Sequence, residues 1–128
     1  MSNTPVQKAM VIDDSRAIRM ILANILKELG YEVCQAANGK DALAQVERHT
    51  DLSLFLVDWN MPEMNGLEFV QRVRQDRRFS SVPVMMVTTE TEIAQVSRAL
   101  EAGANEYVMK PFTREIIEEK LRMIGAVQ

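Results

Sequence analysis

Leu52-Ser53-Leu54-Phe55-Leu56-Val57-Asp58 decides how this chain is read. Five of the six residues Leu52–Val57 are apolar, and Leu54–Val57 is an unbroken apolar run. A strand with one wet face alternates apolar and polar residues. An unbroken apolar run is a strand covered on both faces, as in a parallel sheet held between two layers of helices. The run stops at Asp58, which puts a carboxylate at the carboxyl end of a buried strand.

Working outward in both directions, short apolar runs alternate with helical patterns. Upstream, Ala9–Ile12 is a first strand. Ile18, Ile21, Leu22, Ile25, Leu26 and Leu29 then recur at steps of three and four, one apolar stripe of a helix closed by Gly30. Glu32–Ala37 is a weaker second strand, Asn38-Gly39 a turn, and Ala42, Leu43 and Val46 a short helix ending near His49. Downstream, a loop with Pro62 and Gly66 leads to a helix marked by Leu67, Val70 and Val73. Pro83–Val87 is a fourth strand, and Ile93, Val96 and Leu100 a fourth helix with Gly103 beyond it. Glu106–Met109 is a fifth strand, followed by a helix with Ile116, Ile117, Leu121 and Ile124. Strict alternation predicts an α/β fold, a doubly wound parallel sheet of five strands with five helices.

The chain has 128 residues. At about 150 residues per domain, that is one domain over 1–128, with residues 1–7 expected as a loose tail. A net charge of −3 argues against a domain that binds nucleic acid by itself. The single cysteine, Cys34, cannot close an internal disulfide, which fits a reducing, cytoplasmic setting. No apolar stretch approaches the roughly 20 residues that span a bilayer, and no secretory leader is evident. The expectation is a soluble monomer, with no trailing linker to suggest a longer regulator.

In open parallel sheets ligands bind at the carboxyl ends of the strands. Asp13 and Asp14 follow strand one, Asp58 ends strand three, Thr88 and Thr89 follow strand four, and Lys110 follows strand five. Asp14 and Asp58 are 44 residues apart, Asp58 and Thr88 30, Thr88 and Lys110 22, each a whole number of strand–helix units. Three carboxylates, a hydroxyl and an ammonium therefore meet on one rim. Carboxylates so crowded stay ionised only with a cation among them. Hard oxygen ligands suit Mg²⁺, which keeps waters and leaves room for phosphate oxygens. A lysine beside them supplies a point charge for phosphate, and an Asp carboxylate is a known nucleophile toward phosphoryl groups. There is no phosphate-binding glycine loop, and no Ser-His-Asp arrangement is evident with the single histidine, His49.

Five segments, taken in order, carry a family resemblance: Val11-Ile12-Asp13-Asp14-Ser15, Val57-Asp58-Trp59-Asn60-Met61-Pro62, Met64-Asn65-Gly66, Val87-Thr88-Thr89-Glu90 and Ala102–Phe112. Over its whole length the chain resembles receiver domains of two-component response regulators, and most of all single-domain chemotaxis regulators of the CheY type. The resemblance implies strand order 2-1-3-4-5. It implies that Asp58 accepts a phosphoryl group from the phosphohistidine of a histidine kinase, of the chemotaxis type. It further implies that Asp14, Asp58 and the main-chain carbonyl of Asn60 bind Mg²⁺ directly, with Asp13 acting through water. Lys110 would pair with the phosphoryl oxygens, Thr88 would hydrogen-bond them, and Tyr107 would swing inward behind Thr88. Asn60 and Glu90 would tune self-dephosphorylation, and Lys110-Pro111 would be a cis peptide. The implied output is a changed face of helix four, strand five and helix five, read by a partner such as the flagellar motor switch. Regulators that bind the motor carry a lysine on helix four where this chain has Ile93, which favours a more apolar docking face.

Plainer readings stand beside these. Asp13-Asp14-Ser15 could be an N-cap cluster, Thr89 with Glu92 matches a capping box, and Tyr107 could be an ordinary strand aromatic. His49 suits the end of a short helix, Cys34 reads as a small buried hydrophobe, and the nine methionines read as core filler. Two other functions compete. One is a phosphate shuttle or sink without an output partner. The other is a Mg²⁺-dependent phosphohydrolase of the haloacid dehalogenase kind, which needs a second acid two residues after its nucleophile; Ser15 and Arg16 after Asp14 break that pattern.

Overall fold

In a computed structural model, which describes residues 7–49, 51–89 and 93–127, the apolar run forms the central strand β3 (Leu52–Asp58) of a five-stranded sheet. The other strands are β1 (Gln7–Ile12), β2 (Tyr31–Ala36), β4 (Val84–Thr88) and β5 (Glu106–Met109). All pairings are parallel and the order is β2-β1-β3-β4-β5, as the alternation and the resemblance predict. Five α-helices connect them: α1 (Arg16–Glu28), α2 (Gly39–Val46), α3 (Gly66–Arg74), α4 (Ile93–Ala102) and α5 (Arg114–Met123).

The side chains of β3 show why an unbroken apolar run is needed. Phe55 and Val57 join the core under α2, α3 and α4, whereas Leu54 and Leu56 join the core under α1 and α5. Phe55 also packs edge-on against Phe69 and Phe79, with ring centroids 5.6 and 5.5 Å apart. Polar substitution at any of these four positions would strand a polar group in a dry layer.

Side chains that accept from backbone N–H groups start four of the helices: Ser15 from Ile18, Asn38 from Asp41, Asn65 from Glu68 and Thr113 from Ile116. Each such cap is worth about 1 kcal/mol. Asn38-Gly39 is thus the start of α2 rather than a free-standing turn. The capping box expected from Thr89 and Glu92 lies outside the described residues, as does residue 90.

Several expectations need correction. β1 begins at Gln7, so residue 7 belongs to the sheet and not to a tail; residues 1–6 are outside the described part. Ile21 is 48 % exposed, because Leu22 and Ile25 already occupy the inward side of α1. Met10, Met85 and Met86 fill the core, but Met20, Met109 and Met123 face solvent. Cys34 is only half buried, and its thiol donates to the Ala9 carbonyl at 3.6 Å. α2 stops at Val46, leaving His49 past its end with its N–H on the Gln45 carbonyl. A 3-10 turn over Arg77–Phe79, which no periodicity announces, delivers Phe79 to the core.

Candidate functional site

Strand register alone brings the acids together. Ile12 pairs with Val57 and Asp58 with Val87, while Thr88 pairs with Met109, so Asp13, Asp58, Thr88 and Lys110 line one edge. Asp58 is 3 % exposed and Asp13 1 %; Thr88 is equally buried, while Asp14 faces solvent. Oxygen atoms of Asp13, Asp14 and Asp58 lie within 4.8 Å of one another.

Lys110 reaches in from the β5–α5 loop. Its Nζ lies 3.1 Å from Asp13 Oδ2 and 3.2 Å from Asp58 Oδ1. The backbone fixes this reach: the Lys110 N–H donates to the Thr88 carbonyl at 2.6 Å, and Lys110-Pro111 is cis, as the resemblance implies. One ammonium does not neutralise the group. Burial, and next the charge of Asp13, push the Asp58 carboxyl up to about 7. Burial also raises Asp13. For Lys110 burial works to lower the ammonium, but the charges of Asp13 and Asp58 outweigh it and the net shift is upward. Asp13 Oδ2 remains buried without a hydrogen-bond donor, even with Lys110 Nζ close by. A cluster short of positive charge, made only of hard oxygens, in which Asp13 Oδ2 has one ammonium nearby but no well-directed hydrogen bond, fits Mg²⁺.

Ser15 takes the capping role, and its own N–H donates to Asp13 Oδ1 at 2.9 Å, which leaves Asp14 free of the helix terminus. The capping reading of the segment thus holds for Ser15, while Asp13 and Asp14 turn to the acidic cluster. Thr88 ends β4, with its hydroxyl 3.4 Å from the Thr89 carbonyl. Asn60 is exposed in the β3–α3 loop. In that loop Glu63 holds a left-handed backbone (φ 69°) beside a tight turn in which the Met64 N–H meets the Pro62 carbonyl. Tyr107 is partly buried on β5 and packs against the core under α4, with Lys120 Nζ 5.2 Å from its ring centroid. Glu90 falls outside the described residues.

Two further residues shape the site, Arg19, which sequence reasoning passed over, and Gly66, to which it gave no role at the site. Arg19 Nη1 donates to the Asp13 carbonyl at 2.6 Å, and its Nε to Gln35 Oε1 at 3.3 Å, fastening the acidic turn to β2. Nothing in the sequence separates Arg19 from the other arginines. Gly66 packs directly on the strand end: a Cβ there would sit 2.5 Å from the Asp58 carbonyl oxygen. Its N–H donates to the Trp59 carbonyl at 2.9 Å, so a side chain at 66 would displace the Asp58 backbone.

The response regulator receiver domain profile matches residues 9–122. The chain belongs to the receiver domain family. Its likeness to chemotaxis proteins is close: it is 46 % identical over 118 residues to chemotaxis protein CheY1 of Helicobacter pylori, covering 91 % of this chain and 95 % of that protein. It is 44 % identical over 115 residues to a CheY homolog of Campylobacter jejuni, covering 89 % and 88 %. The solved structure of Vibrio cholerae CheY4 superposes with a TM-score of 0.86 at 34 % identity, over 94 % of this chain and 99 % of that one. Receiver domains are phosphoacceptor signalling modules, not enzymes in the usual sense, so the phosphohydrolase alternative falls away. CheY-like receivers take phosphoryl groups from histidine kinases and act on output partners, and bind Mg²⁺ at an acidic pocket of the kind built here by Asp13, Asp14 and Asp58. No helix among the described residues is long and apolar enough to cross a membrane.

Proposed function

We propose that this receiver domain is a phosphorylation-driven switch in chemotaxis signalling that takes a phosphoryl group from a histidine kinase onto Asp58. The observation that carries the proposal is the buried, charge-deficient acid cluster at the end of β3, with Lys110 the cation that faces it. Asp14, Asp58 and the Asn60 carbonyl would hold Mg²⁺, with Asp13 in support. When bound, the ion neutralises the carboxylates and shares the charge of the phosphoryl oxygens.

A carboxylate oxygen of Asp58 attacks phosphorus, a P–O bond forms, and the P–N bond to the donor imidazole breaks as that nitrogen takes up a proton. Lys110 then has a doubly charged group in front of it in place of one acid oxygen. Its contact with Asp13 keeps the ammonium aimed at that space. Thr88, at the end of the adjacent strand, offers a hydroxyl toward the new oxygens, and Tyr107 follows inward. A 1:99 to 99:1 change of state needs about 5.5 kcal/mol of differential stabilisation. Two or three charge-assisted hydrogen bonds at about 1.5–3 kcal/mol each are of that order. The output would be the face of α4, β5 and α5, working in the cytoplasm.

Acid-labile incorporation of one phosphoryl group from acetyl phosphate and Mg²⁺ is the test. Asp58→Asn is expected to abolish it, with Tm retained as proof of folding. Persistent incorporation in Asp58→Asn would place the acceptor elsewhere.

A further inference from the structure

We propose that Glu106 and Lys120 form a latch that holds the Tyr107 ring in its resting place and so sets how readily the switch moves. This deepens the switch reading above, since it assigns a control to Tyr107. The contacts form a closed set. The Glu106 carboxylate accepts the N–H of Tyr107 at 2.9 Å, and the same oxygen lies 3.5 Å from Lys120 Nζ on α5. Lys120 Nζ in turn stands 5.2 Å from the Tyr107 ring centroid.

β5 is an edge strand, so a backbone N–H there has few routes to a partner within the sheet. Glu106 supplies one for Tyr107, and doing so fixes its carboxylate toward α5. The carboxylate then anchors the ammonium, and the ammonium attracts the ring face. Glu106 is only 16 % exposed in its side chain and Lys120 30 %, so water screens the pair less than it would at an open surface. Lys120 and Tyr107 also line a groove of about 230 Å³ with Met109, Pro111 and Ile116. The ring thus occupies one side of an apolar groove between β5 and α5.

A ring that turns toward Thr88 leaves the ammonium behind. Losing that contact disfavours the inward state by roughly two- to five-fold, the size of a cation–π attraction at a half-exposed site. Removing the latch raises the inward population by the same factor without touching any residue that holds the phosphoryl group or Mg²⁺. Lys120 and Glu106 are positioning residues in this scheme.

The experiment is ¹⁹F NMR of full-length protein carrying 3-fluorotyrosine, with the two tyrosines, Tyr31 and Tyr107, resolved by substitution. Spectra are taken before and after acetyl phosphate with Mg²⁺, in wild type, Lys120→Met, Glu106→Gln and Lys120→Arg. Without acetyl phosphate, Lys120→Met and Glu106→Gln are expected to move the Tyr107 resonance toward its phosphorylated position. Lys120→Arg should keep the resting position, because a guanidinium still faces the ring. Tyr31, whose hydroxyl donates to the Ala126 carbonyl far from the latch, reports an intact fold by staying fixed. A resting Tyr107 resonance identical in wild type and in folded Lys120→Met overturns the latch. A wild-type Tyr107 resonance that ignores acetyl phosphate removes the switch role instead, while a shift in the variants would still support the latch as the hold on the ring.

Discussion

The two ends of the sheet bury charge in opposite ways. At the amino ends of β4 and β5, Arg74 at the last position of α3 donates to the Phe79 carbonyl at 2.6 Å, twice to the Gly103 carbonyl, and to Asn105 Oδ1 at 2.9 Å. Asn105 returns the bond by accepting from the Val84 N–H at 2.9 Å and giving its own N–H to the Val84 carbonyl. Gly103 stands at φ +121°, a backbone that L side chains rarely adopt, and so aims its carbonyl at Arg74. Each contact of the Arg74 cation in this knot is with a neutral dipole. At the carboxyl ends, Asp13 and Asp58 are buried and share a single ammonium, which lies 3.1 Å from Asp13 Oδ2 without a well-directed hydrogen bond to it. The satisfied end is a fastening. The unsatisfied end stores the free energy that an incoming cation or phosphoryl group can release, which is what a switch requires.

The contrast predicts that substitutions at the two ends differ in sign. Arg74→Ala removes one cation that serves two connections, α3–β4 and α4–β5, and leaves carbonyls without a donor, so it should cost about 3 kcal/mol in urea unfolding, with or without Mg²⁺. A loss below about 1 kcal/mol would mean that water replaces the guanidinium readily. Asp58→Asn should do the reverse. Burial and Asp13 raise the Asp58 carboxyl in the folded protein, so the native state holds a proton that the unfolded chain has released. The resulting penalty is absent below the unfolded value near 4, grows with rising pH, and is complete above about 7. In EDTA at pH 8, Asp58→Asn is therefore expected to be more stable than wild type by about 2 kcal/mol, and at pH 4 no more stable. Equal stability of the two proteins at pH 8 would show that the acids are not in conflict.

A smaller effect separates positioning from charge at the rim itself. Arg19→Ala frees the Asp13 carbonyl and should weaken Mg²⁺ affinity about threefold, by calorimetric titration, with little change in unfolding free energy. Tighter Mg²⁺ binding by Arg19→Ala would show that its positive charge outweighs its hold on the turn.

The sheet and the rim were legible in the sequence because both rest on local, periodic signals. The apolar run Leu52–Val57 fixes β3 as central, and the spacing of Asp13, Asp14, Asp58, Thr88 and Lys110 follows from strand–helix alternation. What stayed hidden depends on long-range donors to carbonyls. Arg19 on the Asp13 carbonyl and Arg74 on the Gly103 carbonyl are set by three-dimensional proximity, and arginines carry no mark of which carbonyl they will meet. Ile21 lies outside the core for a related reason: a stripe wider than the contact surface leaves its flank in solvent. Roles carried by the resemblance alone, such as those of Tyr107 and Asn60, have no periodic signature at all.

The most direct test is a Mg²⁺ titration followed through Trp59, the single tryptophan, which is buried immediately after Asp58. At pH 8 wild type should show a saturable change in fluorescence, a second change on adding acetyl phosphate, and neither change of that size in Asp58→Asn. A wild-type signal flat to both additions, or one that Asp58→Asn reproduces in full, would contradict the account of the rim as a cation-seeking phosphoacceptor.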